Sequence, residues 1–195
     1  MDKAAKLLRV ITAPPVLITA MLIIFYFCGL GIFRSASELV VAIVLLGILP
    51  ALAYPIQAAV PKLREGGRDT QRKLAFALTL AGYAIGAIVA LAGMATREMS
   101  LIYFTYFFSV FLLLVVNKCF HEKASGHACS TAGSLVFTAY YLGPAAFIPC
   151  ALLFVAMAWS SIQLKRHTPK NLATGVLAFV AALLISIVLV MAMAR

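Results

Sequence analysis

Acidic residues are scarce in this chain, and none falls inside a long apolar run. The 195 residues include six of them, Asp2, Glu38, Glu65, Asp69, Glu98 and Glu122, against 16 Lys and Arg, for a net charge of +10. Ion-coupled transporters and pumps carry an ionisable relay at membrane depth, so the missing intramembrane carboxylate argues against that class. The acidic clusters that hold magnesium diphosphate in a membrane prenyltransferase are missing too. Cysteine is nearly as sparse. Cys28, Cys119, Cys129 and Cys150 show no paired spacing, and no disulfide is expected. No internal repeat, soluble domain or low-complexity tail is present.

Apolar residues are abundant. They make up 64% of the chain and give a mean hydropathy of +1.06, the composition of an integral membrane protein. A span needs roughly 20 mostly apolar residues. Such runs lie near 10–33, 39–60, 74–96, 99–117 and 172–194. The run 128–163 is too long for one crossing, at roughly 50 Å by helical rise. Gly143-Pro144 divides it into a short span over 128–142 and another over 144–163. The expected fold is an all-α, polytopic membrane helix bundle in a single domain, 1–195, with about seven transmembrane helices. The count is six if the first or the short fifth span is left out.

Seven crossings put the N-terminus and the loops 61–73, 118–127 and 160–171 on one face. That face carries thirteen cations: Lys3, Lys6, Arg9, Lys62, Arg64, Arg68, Arg72, Lys73, Lys118, Lys123, Lys165, Arg166 and Lys170. The other face has Arg34, Arg97 and Arg195. The positive-inside rule makes the first face cytoplasmic in a cell inner (plasma) membrane. Lys3, Lys6 and Arg9 are expected to serve topology and attraction to anionic lipid headgroups. The positive charge implies no nucleic acid. Trp159 and the aromatic run Tyr103-Phe104-Thr-Tyr106-Phe107-Phe108 are expected against lipid or near the interface.

Two polar stretches break the apolar pattern, each placing a histidine where a helix begins: Lys123-Ala-Ser125-Gly126-His127 and Ser160-Ser161-Ile-Gln-Leu-Lys165-Arg166-His167-Thr-Pro-Lys-Asn171. Ser125 is placed to cap one helix, and Thr168-Pro169 reads as cap and first position of the other. Helix entrances with free N–H groups, small residues and cations suit a phosphate. Asn171, four residues past His167, is expected to reach the imidazole if the helical turn extends that far back. A competing site is a zinc centre from Cys119, His121, His127 and Cys129, although C-x-H-x5-H-x-C is not a usual zinc spacing.

These residues resemble the type-2 phosphatidic acid phosphatase superfamily, membrane enzymes that remove phosphate from lipids. That family carries K-x6-R-P, P-S-G-H and S-R-x5-H-x3-D. Ser125-Gly126-His127 matches the second motif, with Ala124 in place of proline. The stretch from Ser160 to Asn171 keeps the spacing of the third, with Ser161 for arginine and Asn171 for aspartate. The loop Lys62-Leu-Arg64-Glu-Gly-Gly-Arg68-Asp-Thr-Gln-Arg72-Lys73 stands where the first belongs, without its spacing or its Arg-Pro. Thr12-Ala-Pro14-Pro15 and Gly175 also look like bacterial members. The resemblance implies a phosphatase-like helical core and a lipid-phosphate or lipid-diphosphate phosphatase with neither metal nor cofactor. In it His167 is the nucleophile, His127 the acid and base, and Asn171 the residue that orients His167. Phosphate contacts would come from Lys123, Ser125, Gly126, Lys62, Arg64, Arg68, Arg72, Ser161, Lys165 and Arg166. Phosphatidate, phosphatidylglycerophosphate and polyprenyl-linked phosphates are the substrate class. The two substitutions in the third motif also fit a decayed lipid-phosphate-binding or regulatory protein. A phosphohistidine captured by another alcohol would instead make the chain a phosphotransferase.

Overall fold

Helix boundaries follow local chemistry. The computed structural model describes residues 2–119 and 123–193. Proline opens several helices at the position where its missing N–H costs nothing: Pro14 starts α2 (Pro14–Phe27), Pro144 starts α9 (Pro144–Gln163) and Pro169 starts α10 (Pro169–Met193). Gly143 takes φ +81°, a left-handed conformation that separates α8 (Gly126–Leu142) from α9. Ser125 accepts from the Ala128 N–H at 3.1 Å and Thr168 from the Asn171 N–H at 3.2 Å, so both histidine-bearing helices begin on hydroxyl caps.

The remaining elements are α1 (Asp2–Ile11), α3 (Ala36–Ala51, with a π-helical turn over Val44–Ile48), α4 (Ala53–Ala59), α5 (Pro61–Glu65), α6 (Gly67–Leu91) and α7 (Arg97–Cys119). The described residues form no strand. Four helices, α6, α7, α9 and α10, are long and apolar enough to cross a membrane. Counting the bent pairs α1–α2 (51°) and α3–α4 (41°) as one span each raises the number to six. The chain is thus a helical, multi-pass membrane protein. The short span expected over 128–142 is α8, whose 17 residues rise about 26 Å, below the ~30 Å hydrocarbon core. It sits in the middle of the bundle against α2, α7, α9 and α10.

Large apolar side chains such as Leu152, Val155, Leu177, Leu184 and Val188 point outward, the pattern of a surface solvated by lipid. The core lies between α2, α3, α6 and α7, with Ile18, Leu22, Phe25, Leu46, Met99 and Ile102 buried. The aromatic run of α7 corrects the expectation of a lipid-facing cluster. Tyr103, Phe104 and Tyr106 are fully buried, because α7 is flanked by α6 and α10 and leaves little surface to lipid. Gly86 provides the notch for the Tyr103 ring, and the Tyr106 hydroxyl shares a 2.8 Å hydrogen bond with Ser134. In an apolar medium a buried phenol needs such a partner.

Candidate functional site

The two histidine stretches meet at one end of the bundle through backbone. The Ser125 N–H donates to the Asn171 carbonyl at 2.9 Å, joining the start of α8 to the first turn of α10. Gly175, one turn further along α10, lies against the Ser125 carbonyl, and a methyl group there would overlap that oxygen. Backbone cannot step aside as a flexible side chain can. Gly175→Ala should therefore cost about 1–3 kcal/mol and lower the thermal midpoint of the detergent-purified protein. An unchanged midpoint would mean that the two helix starts are not tightly coupled.

Neither imidazole is in open solvent. His127, one residue ahead of the expected span, is half-buried, and its Nε2 lies 3.1 Å from the Thr12 hydroxyl. Thr12 is fully buried and its hydroxyl also reaches the Leu8 carbonyl at 2.8 Å. The hydroxyl has one proton. With that proton on Leu8, His127 donates from Nε2. Thr131, one turn past His127, donates to the Thr12 carbonyl at 3.4 Å and ties α8 to the α1–α2 corner.

His167 sits between Lys165, whose φ is +52°, and the Thr168 cap. It therefore precedes the helix that Pro169 opens, and the one-turn relation to Asn171 does not hold. Its Nδ1 is buried without a hydrogen-bond partner, so the Asn171 side chain does not engage that atom. The Asn171 backbone bonds both Ser125 and Thr168.

Electrostatics explain the protonation state. Burial, then the charges of Arg9 and His167, push His127 down to about 4. Burial, then Arg9 and Arg72, also lower His167. Both rings are neutral at pH 7 and face guanidinium groups, an arrangement that favours an incoming anion. The sign of the stability effect follows. Below pH 6.5 the unfolded chain binds a proton that folded His127 does not take until about 4, so stability falls as pH drops through that window. The thermal midpoint should decline from pH 6.5 towards pH 4, and His127→Asn should remove much of the decline. A slope indifferent to that substitution would place the proton uptake elsewhere.

Arg9 is the residue that sequence reasoning misplaced. Read as a topological cation, it instead has Nη1 buried and without a partner, and its charge is felt at both histidines. The signal was available in α1. Ala5, Arg9 and Thr12 fall on one helical face and turn inward, while Leu7, Val10 and Ile11 are exposed to the lipid side. A polar face turned inward is the pattern expected in a membrane.

The other expected phosphate ligands divide. Arg68 and Arg72 lie one turn apart on α6, where Arg68 acts on Arg9 and Arg72 on His167. Ser125 caps α8 beside Gly126. Lys62 and Arg64 on α5, with Lys123, Lys165 and Arg166, have exposed side chains, and none of them is among the charges that act on the histidines. Ser161 is fully buried and directs its hydroxyl to Met157 Sδ at 3.7 Å, because it lies on the inner face of α9. Its neighbour Ser160 is buried with a partnerless hydroxyl, on the helix against which α1 packs. Among the described residues no group of three or more His, Cys, Asp or Glu could hold a metal ion. His121, a member of the alternative zinc set, lies outside the described residues. No family model, curated protein or solved structure matches the chain.

Proposed function

We propose that this chain is a membrane lipid phosphatase of the phosphatidic acid phosphatase type, acting on a lipid phosphate or diphosphate through a phosphohistidine. The observation that carries the reading is that two neutral histidines held at adjoining helix starts feel the same Arg9 charge, with Arg72 also acting on His167. A nitrogen lone pair of His167 attacks phosphorus, and the bond from phosphorus to the lipid oxygen breaks. The leaving oxygen takes a proton from His127, which afterwards takes one from the water that hydrolyses the phosphohistidine. The arriving phosphate supplies the charge that raises the proton affinity of His127 for this task. Arg9 stands in for the arginine that Ser161 displaced, and Arg68 and Arg72 add positive charge from α6.

The basic face is proposed to be cytoplasmic, which favours phosphorylated glycerolipids or prenyl-linked phosphates made on that leaflet, and α8 is counted as the seventh crossing. The test is release of inorganic phosphate by purified protein from phosphatidate, phosphatidylglycerophosphate and polyprenyl phosphates. A specific observation favours a second reading, lipid-phosphate binding without turnover: a nucleophilic imidazole is normally fixed through its other nitrogen, and Nδ1 of His167 has no partner. Binding of the lipid phosphate with no release of phosphate would establish it.

A further inference from the structure

A cavity of about 520 Å³ opens at the end of the bundle remote from the histidines. Its lining includes Arg97 and Glu98 from the start of α7, Tyr140 and Tyr141 from the end of α8, and Leu183 and Val190 from the C-terminal half of α10. Asn171 and Val190 are separated along α10 by about 28 Å of helical rise, so the cavity and the histidine site lie about one hydrocarbon thickness apart.

The chemistry of its lining is uneven in an informative way. Among the described residues the only ion pair is Arg34 with Glu38, so Arg97 and Glu98 do not neutralise each other or pair elsewhere. Consecutive residues on a helix diverge, and their charges face different parts of the opening. Glu98 is half-buried and close enough to Tyr141 for its charge to be felt at the phenol, while Tyr140 is 73% exposed beside it. A carboxylate flanked by aromatic rings suits a cation, and a guanidinium suits a phosphate. Below them the wall is apolar, running about 10 Å along α10 from Val190 back to Leu183.

We infer that this cavity binds a zwitterionic phospholipid with a primary ammonium group, its phosphate on Arg97, its ammonium on Glu98 and the start of one chain along Leu183 and Val190. A primary ammonium is preferred over a quaternary one because it has three N–H donors for the carboxylate and the phenols. The volume falls within the usual range of small-molecule sites. The site stands apart from the histidines and does not depend on their proposed chemistry.

The experiment is lipid binding by the full-length protein in detergent, followed by native mass spectrometry with short-chain phosphatidylethanolamine, phosphatidylcholine and phosphatidylglycerol. The ethanolamine lipid should bind at least tenfold more tightly than either of the others. Glu98→Gln should erase that preference, and Tyr140→Ala, a change at an exposed position, should weaken binding several-fold. Equal binding of the three lipids, a preference for the choline or the anionic lipid, or an intact ethanolamine preference in both variants would overturn the assignment.

Discussion

Replacing His167 with alanine should abolish phosphate release, with turnover falling by about 10⁴-fold or more on whichever lipid the native protein hydrolyses. The expectation is this large because a covalent step has no partial substitute. Without the imidazole no phosphorus–nitrogen bond forms, and water must attack a lipid phosphate directly. The variant should fold normally, since His167 precedes its helix and its Nδ1 has no hydrogen-bond partner to lose. If the proposal holds, quenching the native protein during incubation with substrate should trap an acid-labile phosphoryl group that is missing from the variant. Comparable turnover in a well-folded His167→Ala protein would sink the phosphohistidine mechanism. His127→Ala should also slow release while still allowing His167 to be phosphorylated by a substrate with a good leaving group, which separates the two roles.

The second large effect concerns Arg9. Arg9→Ala should lower kcat/KM by about 10²–10³-fold, or about 2.7–4 kcal/mol, the scale observed when one preorganised donor to a developing oxyanion is lost. Arg9→Lys should recover only part of this, because an ammonium cannot bind phosphate in a bidentate fashion. Lys6→Ala serves as the control, since Lys6 is exposed on the same short helix. A readout independent of turnover is available. The Arg9 charge helps to hold His127 down at about 4, so its removal should raise the His127 titration midpoint measured by NMR. If neither kcat/KM nor the titration moves, Arg9 is the topological cation that its position in the sequence first implies.

Legibility differed sharply between the parts of this protein. Helix starts were readable because a capping hydroxyl and a proline act locally, as at Ser125 and at Thr168-Pro169. The break at Gly143-Pro144 was readable for the same reason. Which side of a helix faces lipid was harder, because hydropathy along α7 is nearly uniform and the burial of Tyr103 depends on the Gly86 notch in another helix. The expected one-turn relation between His167 and Asn171 does not form because the helix starts at Pro169, two residues after His167. The face of α1 that carries Arg9 and Thr12 was legible, but what it meets was not. A linear motif has no access to groups delivered from more than a hundred positions upstream, and Thr12 meets His127 across a separation of 115 residues.

The corner between α1 and α2 has a mechanical consequence. Pro14 and Pro15 have no N–H to offer the carbonyls of Val10 and Ile11, so the helical ladder is interrupted there and the chain turns by 51°. On the opposite side the floor of the site is riveted by the Ser125–Asn171 backbone bond and the tight seat of Gly175. The corner sets the angle of the wall that carries Arg9, and the Thr12 contacts with His127 and Thr131 pin it there, so that wall and the histidines are held by one connected set of bonds.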